Sequence, residues 1–220
     1  MSDAYIALAD GRVLEARARA PGRTRGELVF TTAYTGYEES LTDPSYAEQV
    51  LTFSYPLIGN YGVREDRFES ERVHPNAVVS RELTEDVAEW LQREGVPAID
   101  HIDTRDIVTD IREGGAMKCG IAVGEDVTAN DAEAELAACP GMSEHTSIGA
   151  QVSVDEAQVH NPDGDPTVAL IDCGAKGSIL SSLLERGACV HVLPHDVSSD
   201  EVEAIDPDIL FVSNGPGDPQ

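Results

Sequence analysis

Lysine is almost absent from this chain. Of its 15 basic residues only Lys118 and Lys176 are lysines, and 41 acidic residues oppose them, for a formal net charge of -26. A surface of that sign repels phosphate backbones, so no nucleic-acid partner is expected. Also absent is any apolar run of about 18 residues, the length a membrane-spanning helix needs, so no membrane partner is expected either. The opening residues Met1-Ser2-Asp3-Ala4-Tyr5 lack the basic and apolar regions of a secretory signal, which points to the cytoplasm. Four cysteines, Cys119, Cys139, Cys173 and Cys189, show no Cys-x-x-Cys pairing. Neither a zinc site nor a disulfide framework is indicated, and reduced, buried thiols are the expectation. No metal is expected.

The carboxylates are spread through both halves rather than gathered in a tail. In dilute buffer such a surface repels itself; at molar salt the Debye length falls to ~3 Å and the repulsion is screened. With lysine so scarce, this favours a salt-rich cytoplasm, that of a halophilic archaeon, over an ordinary acidic protein.

What is present is a globular composition, 41% apolar and 25% charged over 220 residues, enough for one large or two modest domains. Tyr5 to Leu8 and Arg12 to Ala16 around Asp10-Gly11 predict a β-hairpin. Strands follow at 26–32 and 49–53, the latter set between loops rich in Thr, Asp, Ser, Tyr, Pro and Gly. Loops of that kind serve equally as rigid turns or as carriers of a site. Ala77 to Val79 predicts another strand. Thr84 is placed to cap a helix whose Val87, Trp90 and Leu91 share one face, with Gly95 as its stop; Trp90 is read as core. A second helix carries Ile107, Val108 and Ile111, with Asp103 and Asp106 as a variant capping pair. A strand at 119–123 and a short helix at 130–138 complete the first half.

Residues 142–166 change character. Scattered serines, acids and the run Asn161-Pro162-Asp163-Gly164-Asp165-Pro166 suggest a connector with a brief extended piece at Gln151 to Val154 and a domain boundary near residue 160. His145 and His160 lack metal-ligand spacing and are read as surface residues. From Thr167 the rhythm is β-α-β-α-β, which demands a parallel sheet. Its strands are Val168 to Asp172, Cys189 to Leu193 and Ile209 to Val212; Ile179, Leu180, Leu183 and Leu184 mark one helix, and Ser198 begins another. Ile209 to Val212 is a short apolar run and reads as a buried strand. It ends in Ser213-Asn214-Gly215-Pro216-Gly217-Asp218-Pro219. Glycines flanking a proline let backbone N–H groups approach a ligand unscreened, and the carboxyl ends of parallel strands are where α/β sheets bind ligands. A site half-built at the end of the sequence suggests a protein cut short.

That heptapeptide after an apolar strand resembles the glutamine-gripping loop of class I glutamine amidotransferases. The rest of the chain is similar to one family among them, the small, glutamine-hydrolysing chain of carbamoyl-phosphate synthetase. Leu41-Thr42-Asp43-Pro44-Ser45-Tyr46 and Tyr55-Pro56-Leu57-Ile58-Gly59-Asn60-Tyr61-Gly62 resemble its two N-terminal signature stretches, with Leu57 where the family usually has His. Ile102-Asp103-Thr104-Arg105 matches as well, though a helix cap followed by a solvated arginine accounts for it. Asp172-Cys173-Gly174-Ala175-Lys176 resembles the turn that opens the amidotransferase domain. Its Gly-x-Lys lacks the phosphate-loop spacing.

The resemblance implies an α/β protein. A β-rich mixed N-terminal domain with its connector spans 1–160, and the start of a parallel-sheet, flavodoxin-like class I glutamine amidotransferase domain spans 167–220. It implies that Ser45 reaches into the glutamine site of the neighbouring domain, and that Gly215 and Gly217 hold the substrate L-glutamine, one offering an N–H toward the oxyanion. It also implies a nucleophilic Cys on a sharp turn, with His and Glu later in the chain. No Gly-x-Cys-x-Gly elbow occurs in these residues. Cys173 sits on the first strand of its domain without one and is not read as a nucleophile, so no catalytic residue is expected here and the 220 residues alone are expected to be inactive. The partner implied is the large synthetase subunit. It would carry ATP and magnesium and join the ammonia to bicarbonate and phosphate for arginine and pyrimidine biosynthesis; no cofactor is expected on this chain. Two alternatives stand beside this one. One is the glutaminase of another pathway, such as anthranilate or GMP synthesis, whose likeness would be confined to the last fifty or so residues; the other is a non-catalytic docking module.

The charge reading carries its own test. The thermal midpoint of the chain should rise steadily from dilute buffer to molar KCl, because screening relieves the carboxylate repulsion. A flat or falling trend would leave the acidic surface unexplained.

Overall fold

A computed structural model describes residues 3–141, 144 and 148–217. His145, Ser143 and Ser147, and the Asp218-Pro219 end of the glycine loop, lie outside the described residues. The chain divides into two compact units, one of residues 1–42 and 46–144, the other of 43–45 and 145–220.

In the first unit the predicted hairpin forms from β1 (Asp3–Leu8) and β2 (Val13–Ala20). Its turn is held by the Asp10 carboxylate, which accepts from Arg12 N at 3.0 Å and Arg12 Nε at 2.8 Å. Then come β3 (Gly22–Thr31), α1 (Tyr37–Leu41), β4 (Gln49–Phe53), β5 (Leu57–Ile58), β6 (Ala77–Val79), β7 (Glu82–Leu83), α2 (Glu85–Arg93), β8 (Ala98–Asp100), α3 (Thr104–Gly114), β9 (Met117–Gly124) and α4 (Ala129–Ala137). Seven of these strands close a barrel in the order β1-β2-β8-β6-β4-β3-β9. β3, β4, β6 and β8 run parallel to one another, and the other pairings are antiparallel.

The strand alternation assigns the two barrel faces. Val50, Val79, Ile99 and Ile121 join one buried cluster with Ile107 and Ile111 of α3. Leu51, Phe53, Val78 and Ala98 join another with Trp90, Val87 and Leu91 of α2. Strands apolar on both faces are what helices packed on a barrel require. Trp90 is core, as its position on the helix face indicates. The caps differ from expectation in detail. Thr84 occupies the N-cap of α2, but its hydroxyl donates to Gly59 O at 3.3 Å rather than accepting from the helix. Asp103 caps α3 by accepting from Arg105 N at 3.1 Å. Among the described hydrogen bonds Asp106 supplies no reciprocal arm, whereas Asp131 at the same position of α4 does, accepting from Thr128 N at 2.8 Å.

In the second unit α5 (Ile148–Val152) and β10 (Gln158–His160) precede β11 (Thr167–Asp172), α6 (Gly177–Glu185), β12 (Cys189–Pro194), α7 (Ser199–Ile205) and β13 (Ile209–Val212). The sheet order is β10-β12-β11-β13; β12 and β13 flank β11 in parallel, and β10 adds an antiparallel edge. The supposed connector therefore carries structure. Gln151 and Val152 are helical rather than extended, a distinction that four residues of alternation cannot make. His160 is half-buried in β10 opposite Val190 rather than on the surface. β13 is parallel as expected but not buried. Ile209, Leu210 and Val212 are exposed, because among the described residues the strand pairs only with β11, and of its side chains only Phe211 packs on the apolar cluster around Val168, Leu170 and Val190. No helix among the described residues is long and apolar enough to cross a membrane.

One buried carboxylate ties three strands of the first unit together. Asp100 is fully buried and receives Arg17 Nε and Nη2, each at 2.7 Å, and Leu83 N at 3.0 Å, with Arg19 Nε at 3.5 Å. Burial by itself would raise its pKa, but the fork from Arg17, the Leu83 amide and the charge of Arg19 together hold it below the usual aspartate range. A depressed carboxylate stabilises the fold above its unfolded pKa of about 4, and that contribution is lost as pH falls through the lower folded value. Asp100→Asn should cost about 1–3 kcal/mol at neutral pH and flatten the acid limb of the stability curve below about pH 4. Denaturant titration checks both; a variant as stable as wild type at pH 7 would remove Asp100 from this role.

Candidate glutamine site

The glycine loop is anchored before it turns. Ser213 N donates to Ile171 O at 3.1 Å, extending the β11–β13 ladder by one bond. The Ser213 hydroxyl accepts from Cys173 N at 2.9 Å and donates to Asn214 O at 2.7 Å. Across the sheet, the turn after β11 is organised by Asp172. Its Oδ1 accepts from Gly174 N at 2.9 Å and Ala175 N at 2.7 Å, and its Oδ2 accepts from Val154 N at 2.8 Å. The two turns meet without room to spare. A Cβ on Gly215 would stand 1.9 Å from Cys173 O, so no other residue fits there without moving the backbone. Gly217, at φ 104°, is in the left-handed region that glycine enters freely.

Asp43, Pro44 and Ser45 lie against these turns and belong to the same compact unit. Lys176 Nζ pairs with Asp43 Oδ2 at 2.5 Å, while Asp43 Oδ1 accepts from Ser45 N at 2.9 Å. Asn214 Nδ2 donates to Ser45 Oγ at 2.8 Å, with Gly174 O at 3.5 Å as a weaker acceptor. The structure thus brings Ser45 to the residue next to Gly215, across 169 positions of sequence. Gly217 sits two residues further along that loop, and a Cβ there would come 3.4 Å from Ile148.

These contacts leave donors over. Because Ser45 Oγ accepts from Asn214, its own proton is free to donate, and it has no acceptor among the described residues. The Gly215 and Gly217 amides likewise have none there. A hydroxyl and two amides without protein acceptors suit a group rich in oxygen acceptors, a carboxylate or an amide carbonyl. Cys173 lies in the turn beside Gly215. Burial first, and the Asp172 carboxylate second, push its thiol up, which keeps it protonated. Among the described residues no three His, Cys, Asp or Glu side chains gather as a metal site would need. Asn214, Asp43 and Lys176 stand in the quoted motifs, Lys176 in the turn that opens the amidotransferase domain, but sequence reasoning gave none of them a role in the site.

Comparison with known proteins accords with this picture. The family described as carbamoyl-phosphate synthase small chain, CPSase domain, matches residues 6–121, and glutamine amidotransferase class-I matches 169–220. The carbamoyl phosphate synthase small chain of Halobacterium salinarum is 67% identical over 219 residues, covering 100% of this chain and 62% of that one. The arginine-specific small chain of Geobacillus stearothermophilus is 40% identical (99% and 61% covered), and the small chain of Archaeoglobus fulgidus 41% identical (98% and 63%). This chain therefore spans somewhat under two thirds of the length of the relatives it matches. Among solved structures, the solution structure of a UPF0107 protein covers 53% of this chain and 92% of its own at 16% identity, with a TM-score of 0.34, too low to carry an argument. With more than half of its residues matched by one family and relatives similar along its whole length, the chain belongs to the carbamoyl-phosphate synthase small chain family.

Proposed function

We propose that Ser45, Gly215 and Gly217 bind L-glutamine, and that the whole protein hydrolyses it to supply ammonia to a large ATP-using subunit that makes carbamoyl phosphate in the cytoplasm. The observation that carries the reading is the trio of donors without protein acceptors at the carboxyl end of a parallel strand. Glutamine offers oxygen acceptors at both ends. In this reading the Ser45 hydroxyl donates to the substrate, oriented by Asn214. The Gly215 and Gly217 amides face its acyl carbon, where an N–H stabilises the oxyanion that develops during hydrolysis.

Asp43 and Lys176 act at one remove, holding Ser45 in place. The nucleophile, its base and the orienting acid are expected in the part of the relatives' length that this chain does not span. ATP and magnesium belong to the large partner, and the 220 residues alone should release no glutamate from glutamine.

The reading makes a kinetic prediction for the full-length enzyme. Ser45→Ala removes one hydrogen bond to substrate, about 0.5–1.5 kcal/mol, and should raise KM for glutamine about three- to tenfold. Synthesis driven by added ammonia should be unchanged, because it bypasses the site, and Cys173→Ala should keep its glutaminase activity. An unchanged KM in Ser45→Ala, or a matching loss of ammonia-driven synthesis, would contradict the assignment.

A further inference from the structure

With 5 residues, α5 is too short to be stable by itself, so packing must hold it. Ile148 and Val152, four positions apart, share its inward face, while Ala150 and Gln151 are exposed. That face meets the carboxyl end of the parallel sheet, where the turns after β11, β12 and β13 stand side by side.

The helix touches all three turns. After β12, a Cβ on Gly149 would stand 3.1 Å from the His195 ring, and Ser153 Oγ, just past the helix, accepts from His195 N at 2.9 Å. After β11, a Cβ on Gly174 would stand 3.0 Å from Val152 Cγ2, and Val154 N donates to Asp172 Oδ2 at 2.8 Å. After β13 the link is apolar: a Cβ on Gly217 would stand 3.4 Å from Cγ2 of the buried Ile148. Two of the turns are hydrogen-bonded to this segment, and the third is packed against it.

The third contact falls where the glycine loop is otherwise loosest. Hydrogen bonds fix Ser213 and Asn214. Among the described residues none holds the backbone of Gly215 or Gly217. Gly215 is pressed on Cys173 O, whereas Gly217 is a left-handed glycine with no side chain to anchor it. A methyl group close on the Cβ side of Gly217 limits how far its peptide can swing.

We infer that Ile148 is a positioning residue of the glutamine site, whose Cγ2 methyl, carried on α5, keeps the Gly217 amide aimed at the substrate. Because α5 takes its own place from the turns after β11 and β12, the glycine loop is set against the rest of the sheet. The inference rests on the proposed role of Gly217 in holding glutamine. An amide aimed at a developing oxyanion acts in the transition state, so its misplacement shows in kcat rather than in KM.

The test uses the full-length small chain assembled with its large subunit in molar KCl, reading glutamate release from glutamine. Ile148→Val keeps both γ carbons and should hold kcat within about twofold of wild type. Ile148→Leu keeps the carbon count but moves the branch outward from Cβ. It should lower kcat at least about tenfold, with KM within about twofold. If Ile148 served only to bury carbon, the order would reverse, since valine loses a methyl group that leucine retains. Leucine at the wild-type rate, valine slower than leucine, or a change confined to KM overturns the inference. Ammonia-driven synthesis reports that each complex has assembled. Should Ile148→Leu not assemble, Ile148→Met, which fills the same space without a Cβ branch, replaces it with the same expected loss. A wild-type complex without glutaminase, or Ser45→Ala with an unchanged KM, overturns the proposed function instead.

Discussion

The candidate site depends on an ion pair between residues far apart in sequence. Asp43 and Lys176 meet at 2.5 Å, and the same carboxylate receives the Ser45 amide. Asp43 is nearly buried while the lysine is partly solvated, so the carboxylate is held chiefly by the partners it finds. A Cβ on Gly174 would stand 3.1 Å from Pro44 and 3.2 Å from Pro216 of the glycine loop, so both prolines close on that glycine. Charge, hydrogen bonding and close packing therefore set the three residues 43–45 in one place. That Lys176 is one of two lysines in the chain fits this role: a compact ammonium reaches one carboxylate at the mouth of a turn where a planar guanidinium would need more room.

From that placement the chemistry follows in order. Asn214 donates to Ser45 Oγ, which leaves the serine proton available for another acceptor. Ser213 and Asp172 fix the two turns by their side chains, so the glycine amides are not consumed in holding the loop. Donors fixed in advance stabilise developing negative charge more effectively than groups that must reorganise. The thiol of Cys173, pushed up by burial and by Asp172, lies in the same turn, packed against Gly215.

Much of the fold was legible because local patterns were strong. Gln49 to Phe53 and Ala77 to Val79 are strands with the predicted limits, since both faces are apolar and Pro- or Gly-rich loops bound them. The β-α-β-α-β rhythm after Thr167 gave the parallel pairing of β11 with both neighbours. Closure of the barrel was not legible. It rests on β1 pairing with β9 more than a hundred residues later, and nothing within reach of either strand encodes that. The helix at Ile148–Val152 and the exposure of β13 were missed for a related reason, because each depends on what packs against a short segment rather than on its own composition. The glycines of the site could be read from their chemistry. Ser45 came through resemblance, and Asn214 and Asp43, which orient it, only through coordinates.

The central claim is that Ser45 and the Gly215–Gly217 loop grip one glutamine. A crystal structure of the full-length protein with its nucleophile removed and glutamine bound tests it most directly. The Ser45 hydroxyl and at least one of the two glycine amides should lie within hydrogen-bond reach of that glutamine, about 3 Å, with Asn214 still donating to Ser45. Glutamine bound elsewhere, or bound at the loop with Ser45 turned away from it, would contradict the account.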